Sequence, residues 1–339
     1  MRNAPNGGSI ARVAVAAGAI FASYYCLFSA APKAFEHTDE SAGVLIAVLM
    51  VVVIAVQPII AMTTRTYRLP ATGASLSMAA GLALSTVTAW GGIALIGVGF
   101  GAFVTLSAGW VKQLSSASGV GEALGLYGAC SAVGGAIGSP LGLFLVDAVG
   151  PAGALLGGAG LAVIGAALCA LSSDPIRQRH TDDLTVDAVY SQRNVGEALL
   201  FIAVLLFTVV SYAALLSRLG HPESQWSAAS AVGIAVGIQF AVALGRLSSG
   251  WVMSRFGATG TAVGASIAAL PLLALILFEA GTWQAALTCL VCGAFGVAQT
   301  ATLEGLMQRA RDARSANRAS AIWNMTFDLG LGAGAFIAN

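Results

Sequence analysis

Apolar residues along this chain come in long unbroken runs, and charges, prolines and polar clusters punctuate them at intervals of about 20 residues. Cutting at those interruptions predicts eleven helical segments, near 12–32, 42–63, 70–89, 91–111, 123–146, 152–172, 198–217, 227–250, 258–279, 281–303 and 319–339. The thinnest division is "TAWGG", which separates the third and fourth runs. Strands are a poor alternative, because the runs do not alternate at period 2 and supply no polar positions for a barrel lumen.

Composition then sets the solvent. With 57% hydrophobic and 9% charged residues over 339 positions, and a mean hydropathy of +0.84, the chain has too little polar surface to coat a water-soluble globule. A bilayer is the expected surrounding. The net charge of +1 gives no field to attract nucleic acid, and no basic stripe interleaves with aromatics, so nucleic acid is not an expected partner. Cys26, Cys130, Cys169, Cys289 and Cys292 all fall in apolar runs and read as small buried hydrophobes. The C-L-V-C at Cys289 to Cys292 lacks a second pair or a nearby histidine, so no metal site is expected.

Alternating the segments across a membrane places thirteen Lys and Arg on the side of the N-terminus and only Lys33 and Arg218 on the other, with Arg246 set aside as intramembrane. That asymmetry predicts a cytoplasmic N-terminus in an inner or plasma membrane. A cleaved leader over residues 1–31 is the rival, but removing that segment would break the pairing of halves that follows. The longest polar interval, residues 173–197, reads as a cytoplasmic linker between an N-terminal six-helix bundle (1–172) and a C-terminal five-helix bundle (198–339). Internal repetition agrees: "ALGLYGACSAVGGAIG" at Ala123 and "ASAIWNMTFDLGLGAG" at Ala319 superpose at an offset of 196, matching Tyr127 with Trp323, Gly134 with Gly330 and Gly138 with Gly334. Two related halves joined by a cytoplasmic loop are the pattern of a transporter that rocks about a central site.

The fifth segment carries Gly125, Gly134, Gly138 and Gly142 at the spacing of the exporter pattern G-x8-G-x3-G-P-x2-G-G, with Pro140 one place late and Leu143 for the last glycine. "GRLSSGWVMSRFG" supplies Gly250, Arg255 and Gly257 of a G-x-x-x-D-R-x-G gate loop, with Ser254 for the acid. By these motifs the chain resembles the major facilitator superfamily, and within it the drug:proton antiporter-like exporters. The first-half gate loop departs from the pattern, since Ala61, Arg65 and Arg68 replace glycine, aspartate and glycine after Gln57 and Pro58. "GVGFG" at Gly97 to Gly101 matches, yet Ile93 stands where the resemblance would place an intramembrane arginine. The resemblance implies an all-α membrane protein with the two-bundle transporter fold and about eleven transmembrane helices, six plus five. It also implies twelve helices as a rule, so the stop after the eleventh run reads as a truncated product or an incomplete sequence. Independently of family, a ladder of glycines lets backbones approach closely, and a nearby proline permits a bend.

Ionisable groups at membrane depth are expensive and face protein or a wet cavity. Asp328 lies about 15 Å into the last segment by the helical rise, with Asn324 one turn earlier on the same face. It can carry a proton, or it can be a structural acid held by a donor such as Gln57; both readings stand at this stage. Arg246 shares a face with Gln239 and can hold an anion, pair with a carboxylate, or snorkel to the cytoplasmic surface. Gln299, Thr300 and Glu304 form a polar patch on the tenth segment. Tyr24, Tyr25, Tyr127, Tyr212 and Trp323 can wall a cavity for amphipathic molecules. His37, His180 and His221 fall in loops, and no Ser or Cys has a histidine partner at depth, so no enzyme and no cofactor is expected. The expected function is proton-coupled export of small amphipathic or drug-like compounds by a monomer, with small-molecule substrate, protons and lipid as partners. The rivals are a metabolite-uptake symporter of the same fold and a non-transporting truncated membrane protein.

Overall fold

The computed structural model describes residues 6–36, 42–116, 118–175, 192–219, 228–278, 283–310 and 312–338. Every regular element among them is helical: α1 Gly7–Ala34, α2 Ala42–Thr63, α3 Arg68–Leu84, α4 Ala89–Leu114, α5 Val120–Ala170, α6 Gln192–Leu219, α7 Ala228–Phe278, α8 Gln284–Met307 and α9 Ala313–Ala338. Seven of these are long and apolar enough to cross a membrane. At 51 residues, α5 and α7 would each run about 76 Å if straight, more than twice the hydrocarbon core. Each doubles back at a glycine in the left-handed region, Gly150 at φ 80° and Gly257 at φ 68°. Counting two limbs each for α5 and α7 accounts for all eleven predicted segments. Of the expected linker, 176–191 lies outside the described residues, as do all three histidines.

Two local expectations need correction. The break between α3 and α4 falls at 85–88, ahead of "GG", because Gly92 is a packing residue inside α4. A Cβ there would sit 2.7 Å from the Gly81 carbonyl oxygen, so both glycines serve the close approach of α3 to α4. The supposed gate loop from Gly250 to Gly257 is helix throughout except Gly257.

The glycine ladder of α5 does what its spacing suggests. Cβ atoms at Gly134 and Gly138 would overlap the backbone of Gly18 and Ala22, and one at Gly142 would lie 2.5 Å from the Cys26 carbonyl oxygen, so α1 and α5 pack backbone to backbone. The repeat partners behave alike: Gly330 and Gly334 of α9 lie against Val209 and Val210 of α6. Large apolar side chains such as Val51, Leu69, Phe144 and Leu199 point outward, a face suited to acyl chains. All five cysteines are free; Cys130 and Cys289 are half-buried, where full burial was expected.

Long-range hydrogen bonds identify one end of the bundle. Asn6 donates to the Leu114 carbonyl, the Trp110 indole to the Ser173 carbonyl, and the backbone amides of Tyr67 and Arg68 to the Asp174 carboxylate. The late helices are pinned at the same end. Tyr67 donates to the Ala313 carbonyl, Asn317 to the Thr64 carbonyl at 3.1 Å, and Ser320 to the Val104 carbonyl at 3.1 Å. The early and late helices are thus drawn together where the N-terminus lies.

At this end α9 opens with a reciprocal cap. The Ser315 amide donates to the Asp312 carboxylate at 2.7 Å, and the Asp312 amide donates to the Ser315 hydroxyl at 3.1 Å. Burial acts to push the Asp312 carboxyl up, but the Ser315 hydroxyl and amide, with Arg314 and Arg318, hold it below its usual value of 3.8. A depressed carboxyl contributes stability above that value and loses it as pH falls through the lowered one. Asp312→Ala is expected to cost about 1 kcal/mol or less at neutral pH, given the exposure of the residue. Thermal midpoints measured against pH should show the gap to wild type closing below about pH 4.

Candidate functional site

The polar residues of the central helices converge into one cluster between the early and late parts of the chain. Arg246 on the first limb of α7 does not snorkel. Its Nη1 donates to the Gly128 carbonyl of α5 at 3.0 Å and its Nη2 to Gln299 Oε1 of α8 at 3.0 Å. Room for it comes from α5: a Cβ at Gly125 would meet the Arg246 carbonyl oxygen at 2.5 Å, and one at Gly128 would meet Arg246 Cδ at 2.9 Å. Gly125 therefore belongs to the α5–α7 contact, while Gly134, Gly138 and Gly142 serve the α1–α5 contact; Pro140 faces outward.

Arg246 lies within electrostatic reach of Tyr25, Tyr127 and Tyr212. Tyr127 shares a 2.9 Å hydrogen bond with Ser107 of α4, and Tyr212 accepts from Gln239 at 2.9 Å. Gln239 and Arg246, expected on one face, therefore both engage the cluster, through different partners. Gln299 is nearly sealed from solvent, at 2% exposure. Its backbone oxygen accepts from the Trp323 indole at 3.2 Å, which ties α8 to α9.

Asp328 on α9 accepts from Gln57 Nε2 of α2 at 3.0 Å, as the structural reading of the sequence expected. Gln57 is fully buried, and its Oε1 has no hydrogen-bond partner among the described residues. Tyr24 and Tyr25 are within electrostatic reach of Asp328, so Tyr25 is common to the acid and to Arg246. Asn324 binds the Val104 carbonyl of α4 at 3.3 Å and the Ser320 carbonyl at 2.8 Å. Trp323 stacks on Phe327 with ring centroids 5.2 Å apart, and Tyr24 stacks on Phe100 at 3.7 Å. The ion pairs within 4 Å among the described residues are Lys33–Glu36 and Arg309–Glu197, both peripheral. Neither Arg246 nor Asp328 has an oppositely charged partner at that distance among the described residues.

Some expected residues fall elsewhere. Arg255 lies on the surface with its guanidinium 4.3 Å over the Trp251 ring, away from the cluster. Gly250 does sit at the closed end, where a Cβ would come within 2.9 Å of the Glu122 backbone; Gly257 supplies only the reversal of α7. Thr300 bonds within its own helix, and Glu304, three residues before the end of α8, is buried at 8% exposure. The sequence reading missed Asn317, Ser320 and Ser107. The D-x-x-S cap at Asp312 is the signal that would have started α9 early enough to include Asn317; Ser320 and Ser107 have no pattern that separates them from other small buried residues.

The arrangement offers an intramembrane acid, an intramembrane cation and an aromatic wall. No His, Cys, Asp or Glu group among the described residues is placed to hold a metal. A sequence profile of the Major Facilitator Superfamily matches residues 13–335. A search of curated protein sequences finds no match. Among solved structures, the chain is similar to the transporter FucP in its outward conformation (TM-score 0.73, 17% identity, 99% of this chain and 90% of that one). It is also similar to the human organic anion transporter MFSD10 (TM-score 0.75, 14% identity, 98% and 93%) and to the proton:xylose symporter XylE (TM-score 0.71, 13% identity, 97% and 87%). With the profile spanning nearly its whole length, this chain belongs to the Major Facilitator Superfamily and is a multi-pass secondary transporter rather than an enzyme.

Proposed function

We propose that the chain couples the movement of a small molecule to that of protons, with Asp328 carrying the proton. Residues 1–172 and 198–339 act as two bundles that rock about the central cluster, joined by the linker at 173–197, with the N-terminus in the cytoplasm and the monomer as working unit. The observation that carries this reading is the Gln57–Asp328 contact between α2 and α9. In the ionised form Asp328 can only accept, so the buried Gln57 Oε1 goes unanswered. A protonated Asp328 gains an O–H that can be donated to that oxygen, giving the paired amide–acid geometry with two hydrogen bonds. An unanswered buried acceptor costs about 1–3 kcal/mol, so the proton bears directly on how firmly α2 and α9 hold together.

For direction we propose export, on the α5 glycine pattern. Uptake together with protons is the second reading, favoured by the similarity to FucP, described as a fucose:proton symporter, and to XylE. Proteoliposomes under an imposed pH gradient, screened with a library of amphipathic compounds, test both. Uphill movement against the proton flux supports export, and movement with it supports uptake. Native, monodisperse protein that moves no compound under either gradient polarity contradicts the proposal.

A further inference from the structure

Arg246 makes a demand that the protein itself leaves unmet. The guanidinium has five N–H donors, and its two bonded partners, the Gly128 carbonyl and the Gln299 side-chain amide, are both neutral. It lies about 16 Å along α7 from the reversal at Gly257, at a depth where an uncompensated charge costs several kcal/mol. No carboxylate of the described residues lies within 4 Å of it. The residue is half-buried, so part of it stays accessible. Tyr25 and Tyr212 lie within electrostatic reach of it, and Gln299, which it bonds, is bonded in turn by Trp323, whose ring stacks on that of the half-buried Phe327.

We infer that the transported compound is an organic monoanion, a carboxylate with a flat apolar body, whose head group is received by Arg246 and whose body lies against the Tyr25, Tyr212 and Phe327 rings. Guanidinium and carboxylate match as a two-bond fork, which an ammonium group or a neutral hydroxyl cannot reproduce. Aromatic walls hold a planar body without fixing its identity. A cationic substrate would face Arg246 at close range, and a neutral one would leave that charge uncompensated. The inference rests on the proposed transport through this cluster and adds the chemistry of what is carried.

Binding of phenylacetate, phenylacetamide and phenethylamine to the purified full-length chain tests it, by calorimetry and by the shift in thermal midpoint. The wild type should bind phenylacetate at least about tenfold more tightly than the amide, which corresponds to one step of 1.4 kcal/mol, and should bind the amine least. Arg246→Gln should erase the preference for acid over amide, and Arg246→Lys should keep part of it. If Arg246→Gln does not fold, the wild-type series decides alone. Equal binding of acid and amide, tighter binding of the amine, or no phenylacetate binding up to about 10 mM would overturn the inference. Proton flux measured in the same preparation keeps the two ideas separate. A phenylacetate preference without proton-coupled flux overturns the transport reading alone, and coupled flux without the preference overturns the anion site alone.

Discussion

Asp328→Asn is expected to abolish proton-driven transport by about 100-fold or more, the scale on which loss of a proton-carrying side chain acts, while the protein remains folded. Asparagine keeps an oxygen to accept from Gln57 Nε2 at the observed 3.0 Å and adds an NH2 that can be donated to Gln57 Oε1. The variant therefore resembles a permanently protonated acid in its hydrogen bonds and cannot release the proton. Substrate exchange that needs no net proton movement should survive, so counterflow and gradient-driven uptake measured side by side give the readout. A variant with intact gradient-driven flux would show that Asp328 is the structural acid of the rival reading.

The second large effect concerns packing and pits one substitution against itself. Gly138→Ala places a methyl on the Ala22 backbone, with the Ala22 Cα 2.7 Å away, and backbone cannot yield as a flexible side chain does. Overpacking of this kind costs about 1–3 kcal/mol. Gly160, on the second limb of α5, has nothing within 4 Å of its would-be Cβ, and there the same change gains up to about 1 kcal/mol in helix propensity. The account predicts opposite signs in thermal midpoint, with loss of monodisperse protein for Gly138→Ala. A neutral Gly138→Ala would mean that α1 and α5 are not in backbone contact.

What the sequence made legible follows from which forces dominate in lipid. Length of apolar run is a near-complete guide to helices when backbone groups must be satisfied within the segment, and so all eleven rods were visible. The errors came where side-chain chemistry inside a run does a second task. Gly92 looked like a breaker and is a contact residue; the Gly250 to Gly257 stretch looked like a loop and is helix up to one reversal. At the cluster, Asp328, Gln57, Arg246 and Gln299 stood out because polar groups at depth are rare. Their pairing was less legible: Gln57 was weighed as a donor to Asp328, but nothing in spacing predicts that Arg246 reaches the Gly128 carbonyl 118 residues away in sequence. Such long-range partners depend on how bundles meet, which local periodicity does not encode.

The central claim is that two bundles, drawn together at the N-terminal end in this structure, exchange that closure for closure at the other end. Paired spin labels read it most directly. One pair at Thr64 and Arg314 reports the closed end, where Asn317 bonds to the Thr64 carbonyl. A second pair at Val87 and Trp283, both strongly exposed, reports the opposite end. On adding a transported compound, the first distance should lengthen as the second shortens; distances that stay fixed, or that change together in one direction, would contradict it.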